Sequence, residues 1–199
     1  MLDLLKLREE QVKLSKKLIL KDDFDINKIT TIAGINQAYN KNNDIISAVV
    51  VCNFETMEIL EKQHSQEPPK LPYLSGFRSY REGHAITSAV SKLSTGPDII
   101  LFSGNGILHK RNFGLASHIG LLLNKPSIGV TNKLSCGIIQ ENKVILDNKI
   151  LAEVLETRKH SKPIFVSPGH KISLKTSVEI VKKSIRTPHK LPEPLHIAS

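Results

Sequence analysis

Asp98-Ile-Ile-Leu-Phe-Ser-Gly-Asn-Gly-Ile-Leu-His-Lys-Arg111 is the stretch on which the reading of this chain turns. The unbroken apolar run from Ile99 to Phe102 is what a strand buried on both faces requires. It ends in Ser103-Gly104-Asn105-Gly106, where the backbone can turn sharply and come close to a ligand. His109, Lys110 and Arg111 follow directly. A buried strand that empties into a glycine loop and a basic cluster puts polar chemistry at the carboxyl end of a sheet, where open α/β sheets bind ligands. Taken alone, Gly104 and Gly106 need do no more than make a tight turn, because short glycine patterns are weak signals.

Working outward, Arg78 to Leu93 reads as a helix with Ala85, Ile86, Ala89, Val90 and Leu93 on one stripe, stopped by Thr95-Gly96-Pro97. After the focal strand come a helix over Leu115–Leu123 and a second buried strand, Ser127–Thr131. On the amino side, Ile29–Tyr39, Ile45–Phe54 and Glu58–His64 are strands joined by the turn-rich segments Asn40–Asp44 and Glu55–Met57, an antiparallel meander. Residues 3–20 form an amphipathic surface helix with a solvated basic face, and 21–28 a charged connector. On the carboxyl side, Lys143–Leu146 and Ile150–Glu156 form a hairpin and Pro163–Val166 a strand. Ser167-Pro-Gly-His170 is a loop into a helix over Leu174–Ile185, and the proline-rich tail 188–199 is irregular. Three antiparallel strands followed by strand–helix–strand alternation predict an α/β mixed sheet flanked by helices, the layout of a ribonuclease H-like domain.

The 199 residues suit one domain with a single core. Lys and Arg number 28 against 19 Asp and Glu, a formal charge of +9 spread along the chain, which favours a polyanionic partner, nucleic acid first. Cys52 and Cys136 fit no paired metal or redox spacing and are reduced core thiols. No apolar signal core or membrane-length run is present, so the expectation is a cytosolic protein with no membrane association.

Eight motifs carry a more specific signal: Ala33-Gly-Ile-Asn-Gln-Ala-Tyr39, Leu71-Pro-Tyr-Leu-Ser-Gly76, Tyr80-Arg-Glu-Gly83, Leu101-Phe-Ser-Gly-Asn-Gly-Ile-Leu-His109, Ala116-Ser-His-Ile-Gly120, Ile128-Gly-Val130, Pro163-Ile-Phe-Val-Ser-Pro-Gly-His170 and Leu191-Pro-Glu-Pro194. In this order and spacing they resemble the endonuclease V family, from about residue 30 to the end of the chain. The resemblance implies a ribonuclease H-like fold, binding of deaminated, inosine-containing DNA or RNA, and Mg²⁺-driven cleavage on the 3′ side of the lesion. Such hydrolysis uses metal to activate water and to stabilise charge on the phosphate, and Mg²⁺ wants several oxygen ligands, commonly carboxylates.

Here the sequence departs from the family. Where the resemblance expects Asp, Glu, Asp and a C-terminal His or Asp, the chain has Asn36, Glu82, Ser103 and Ser199, and an expected lysine is Asn132, with Lys133 one position late. Neutral oxygens offset far less of a cation's desolvation than carboxylates do, so the metal site built on Glu82 is weak or absent. Asp98 lies at the opposite end of its strand and does not replace them.

The binding parts are better kept. Pro72-Tyr73-Leu74-Ser75-Gly76 matches the family's strand-separating wedge apart from Ser75, with Tyr73 able to stack on bases. Gly76, Gly104 and Gly106 match the backbone of the pocket for a turned-out base, and His109 a residue near the scissile phosphate. His118 and His170 are assigned to hydrogen bonding of the surrounding loops, and Lys110, Arg111 and Lys133 to phosphate contacts. Three readings follow: an inosine-reading pseudoenzyme that binds without efficient cleavage, an active Mg²⁺- or Mn²⁺-dependent endonuclease of DNA repair, or a scaffold that has lost both activities.

Overall fold

The computed structural model describes residues 3–158 and 161–199. β1 (Thr31–Tyr39), β2 (Ile45–Asn53) and β3 (Ile59–Glu67) form the expected antiparallel meander. β4 (Ile99–Ser103) runs parallel to β1 on its other side, and β5 (Ser127–Thr131) runs parallel to β4. A second meander follows, of β6 (Ile138–Gln140), β7 (Lys143–Leu146) and β8 (Lys149–Leu155), and β9 (Ile164–His170) joins it antiparallel to β5. The result is one nine-stranded mixed sheet in the order β3-β2-β1-β4-β5-β9-β8-β7-β6.

Helices cover both faces because β1, β4 and β5 are apolar on both. α1 (Leu4–Ser15) precedes the sheet, while α2 (Arg78–Val90) and α3 (Leu115–Leu123) flank β4 in the chain. Ile86 and Ala89 of α2 and Leu115, Ala116 and Ile119 of α3 pack on Ala33, Ile35, Ile100 and Phe102. α4 (Leu174–Lys183) and α5 (Glu193–Ile197) take the other face, where Val178, Ile180, Val181 and Leu195 meet Ile32, Leu101, Ile128 and Val166. Among the described residues no helix is long and apolar enough to cross a membrane.

Three expectations change, and one strand is added. The tail is not irregular: residues Glu193–Ile197 form α5, and Leu195 is fully packed against the sheet. Five residues are too few to show helical periodicity, and so short a helix exists only because it docks. It docks on Gly34, where an added Cβ would lie 2.2 Å from the Pro194 carbonyl carbon. Ser167-Pro-Gly-His170 is not a loop but the second half of β9. Proline normally demotes a strand, and here a register shift between Ser127 and Ile128 of β5 accommodates Pro168. β6 was not foreseen, since Ile138 and Ile139 are both exposed on an edge with no alternation to read. The N-terminal helix stops at Ser15, and its polar face is not simply solvated: Gln11 is buried.

Candidate nucleic-acid interface

The parallel register that pairs Ile35 with Phe102 sets Asn36 beside Ser103 at the carboxyl ends of β1 and β4. Side chains alternate along a strand, so both fall on the face shared by Ile32 and Leu101, the α5 side. Glu82 comes from α2 on the opposite side. Arg78, one turn earlier on α2, reaches over the strand ends between them. Its Nε donates to both carboxylate oxygens of Glu82, at 2.9 and 2.7 Å. Its Nη1 donates to the Ser103 carbonyl oxygen at 2.7 Å, and its Nη2 to Gln37 Oε1 at 3.0 Å. Glu82 also accepts a hydrogen bond from the Tyr39 hydroxyl and has no exposed surface. Burial, and then that bond to Glu82, raise the Tyr39 pKa, which keeps the phenol a donor.

A cleft of about 420 Å³ opens beside this cluster, within the range of small-molecule sites. It is lined by the 75–79 turn, by Gly104 and Asn105, and by His109, Lys110, Arg111 and Phe113, with Tyr73 at the rim. A second cleft of about 190 Å³ runs from Ser103 past Asn132 and Lys133 to Leu191 and Leu195. Arg78 and Thr131 line both. No Asp or Glu lines either cleft among the described residues, whereas Arg8, Arg78, Lys110, Arg111 and Lys133 do.

Glycine makes the loops around the larger cleft possible. Gly76 takes φ +80°, and the Arg111 guanidinium sits 2.8 Å from where its Cβ would be. The loop after β4 passes so close to β9 that a Cβ on Gly106 would lie 2.1 Å from the Pro168 carbonyl oxygen. Tyr73 is 72 % exposed and Pro72 is exposed, while Leu74 tucks partly inward, so the aromatic ring is displayed rather than packed under the loop.

Arg111 is held from within: Nε donates to Gln11 Oε1 at 2.5 Å, Nη2 to the Gly76 carbonyl at 3.0 Å, and its guanidinium lies 4.9 Å from the centre of the Phe77 ring. Gln11 Nε2 also donates to the Gly76 carbonyl. The N-terminal helix therefore clamps the cleft wall, a role invisible to local pattern because its partners lie 65 and 100 residues away. Arg78, Gln37 and Tyr39 were missed for the same reason. His118 Nδ1 lies 2.9 Å from Ser79 Oγ behind the cleft, and His170 Nδ1 accepts from the Ile19 amide at 3.3 Å, so both are hydrogen-bonded inside the fold.

His109 is 8 % exposed, and its Nδ1 accepts from the Arg111 amide at 3.2 Å. Burial, then the Arg111 charge, bring its pKa down to about 4, against a smaller opposing effect of the Gly76 carbonyl. Between that value and the 6.5 of an exposed histidine, the unfolded chain binds a proton that the native chain does not. The stability this adds is complete above about pH 6.5 and is lost as pH falls towards 4, an effect on the order of 3 kcal/mol. Burial lowers His118 and His170 in the same direction. Urea unfolding across this window should show stability falling with acid, with a shallower fall in His109→Gln; equal slopes for both proteins would place the effect elsewhere.

The Mg²⁺ implied by the sequence is not matched by the residues that would hold it. Glu82 is the one carboxylate at the strand ends and is already neutralised, Asn36 and Ser103 offer neutral oxygens, and no set of three or more His, Cys, Asp or Glu able to hold a metal exists among the described residues. The Arg78 guanidinium at 2.7 Å offsets the attraction that the Glu82 carboxylate would otherwise exert on a divalent ion. The other acids are engaged elsewhere. Asp98 accepts four hydrogen bonds from Thr30 and Thr31 at the far end of β4, which lower its pKa in spite of burial. Glu193 lies 2.6 Å from His189 Nδ1. Ser199 is exposed and donates its hydroxyl to the His196 carbonyl, and Asn132 is exposed.

A meander paired through β1 to parallel strands, with a polar cleft at their carboxyl ends, defines a ribonuclease H-like α/β protein. Within that class the chain belongs to the endonuclease V family, whose sequence model matches residues 12–199. Endonuclease V of Dictyoglomus thermophilum is 38% identical over 201 residues, covering 96% of this chain and 87% of that protein. The crystal structure of endonuclease V from Bacillus subtilis superposes with a TM-score of 0.91 at 32% identity, covering 100% of this chain and 90% of that one. Endonuclease V of Ciona intestinalis, in complex with a 23mer DNA containing an inosine followed by a ribo-adenosine, gives 0.86 at 28% identity, covering 99% and 95%.

Proposed function

We propose that this protein binds nucleic acid containing deaminated, inosine-type bases in the cytosol, and that it cleaves the strand weakly or not at all. The observation that carries this reading is a glycine-walled cleft with an exposed tyrosine at its rim, lined by cations and, among the described residues, by no carboxylate, beside a buried glutamate held by Arg78 and Tyr39. Gly76 and Gly104 let Arg111 and Arg78 pack tightly against the loop backbone that walls the cleft, and a flat base would lie against that wall. Tyr73 would stack on bases as the lesion is turned out, and Pro72 and Leu74 hold its loop. Lys110 and Lys133 give the rim positive charge for the phosphates. The inosine-containing DNA bound by the Ciona relative supports the choice of lesion.

Hydrolysis is the weaker half of the site. A phosphodiester cleaved through metal ions needs carboxylates that converge on them, and Asn36, Ser103 and Ser199 supply none. Membership of a family named for its nuclease keeps a second reading, a Mg²⁺- or Mn²⁺-dependent endonuclease, in which Arg78 must leave Glu82 before metal enters.

The test is cleavage of a labelled deoxyinosine strand in Mg²⁺ and in Mn²⁺, with binding measured against an undamaged control. The expected result is lesion-dependent binding with cutting near background, and cutting gained in the double variant Asn36→Asp/Ser103→Asp. Cutting by the unmodified protein that disappears in Glu82→Ala would establish the second reading instead.

A further inference from the structure

We propose that Arg78 binds a phosphate of the nucleic-acid strand where the two clefts meet, supplying from the chain itself the positive charge that the family resemblance assigns to a metal ion. The proposal rests on the reading of the cleft as a nucleic-acid site and adds to it a residue, a contact and an independence from divalent cations.

The geometry is specific to this side chain. An arginine carries five N–H donors in a planar fork. Glu82 takes the one on Nε, the Ser103 carbonyl takes one on Nη1, and Gln37 takes one on Nη2. One N–H on each terminal nitrogen is left without a partner among the described residues. The side chain is held from three sides and still 36 % exposed, and it lines both clefts. With a free donor on each terminal nitrogen and the fork held in place, the guanidinium can take the oxygens of a phosphodiester, a ligand for which the planar arginine fork is suited.

The surroundings favour the same ligand. The Glu82 charge behind the guanidinium orients it, yet that carboxylate has no exposed surface and meets no incoming anion. A strand whose base enters the larger cleft and whose next nucleotide follows the smaller one past Lys133 must cross Arg78, because Arg78 and Thr131 are the residues the two clefts share. A phosphate there is bound without any divalent ion.

The experiment is fluorescence anisotropy of a single-stranded deoxyinosine oligonucleotide and its undamaged counterpart over a range of salt, in EDTA and in Mg²⁺ at equal ionic strength. Wild-type affinity is expected to agree within about twofold between the two conditions. In Arg78→Met/Glu82→Gln, which removes both charges together and so leaves no unpaired buried carboxylate, the slope of log affinity against log salt should become shallower by about 0.7 on both strands. Arg78→Lys should keep most of that slope, since it keeps the charge. Wild-type binding that requires Mg²⁺, or a wild-type slope in the double variant, overturns the proposal. Equal wild-type affinity for the two strands, with the slope change intact, overturns the inosine reading and leaves the phosphate contact standing. No binding to either strand overturns both.

Discussion

Arg78→Ala is expected to lower the stability of this protein by up to about 3 kcal/mol, the low end of the range for removing one partner of a buried ion pair, because Glu82 is fully buried while Arg78 is 36 % exposed. Glu82 has no exposed surface, and without the guanidinium it keeps only the Tyr39 hydroxyl. The substitution also strips Gln37 Oε1 and the Ser103 carbonyl of their donor, two buried or half-buried acceptors at the ends of the central strands. Most of the loss comes from stranding a charge rather than from the net value of the pair, so Arg78→Ala/Glu82→Gln should recover at least half of it. Chemical denaturation of the three proteins decides the matter. A single variant within about 0.5 kcal/mol of wild type, the range of ordinary surface changes, would mean that water reaches Glu82.

Gly129→Ala is the second large effect, and its cause is purely steric. Gly129 sits in the middle of β5, and its Cβ would lie 2.1 Å from the Gly106 amide, 2.5 Å from the Asn105 carbonyl carbon and 2.6 Å from the Gly104 carbonyl oxygen. All three are backbone atoms of the loop that walls the cleft, so none can rotate away as a side chain would. The expected cost lies at or above the top of the roughly 1–3 kcal/mol of ordinary overpacking, together with loss of inosine discrimination as the loop is pushed off the sheet. Gly96→Ala is the control: its Cβ would meet nothing closer than the flexible Lys125 ammonium at 3.8 Å, and it should change neither property. Gly129→Ala with wild-type melting and wild-type discrimination would show that the loop is not held where the structure puts it.

These two positions also mark how far a linear reading carries. The strand Ile99–Ser103, the glycine loop after it, the helix Leu115–Leu123 and the strand Ser127–Thr131 were legible because each is encoded within about ten residues, by an apolar run and its punctuation. The family motifs were legible as a series for the same reason, and with them the neutral residues Asn36 and Ser103. α5 and the second half of β9 were not, because a five-residue helix and a strand holding Pro168 draw their stability from what they dock on.

The candidate site divides along the same line. The sequence by itself determined the fold class, the family and the neutral side chains at Asn36 and Ser103, since these depend on which residues are present and in what order. Only the tertiary structure decided what holds Glu82. Arg78 and Glu82 stand one helical turn apart, a spacing that on an exposed helix means a weak surface pair. Burial of Glu82 against Tyr39, with Ser103 and Gln37 drawn in from strands 25 and 41 residues away, makes it a fixed ion pair at the centre of the site. Solvent exposure sets how strongly two charges interact, and exposure is a property of the folded chain, not of the spacing between two residues.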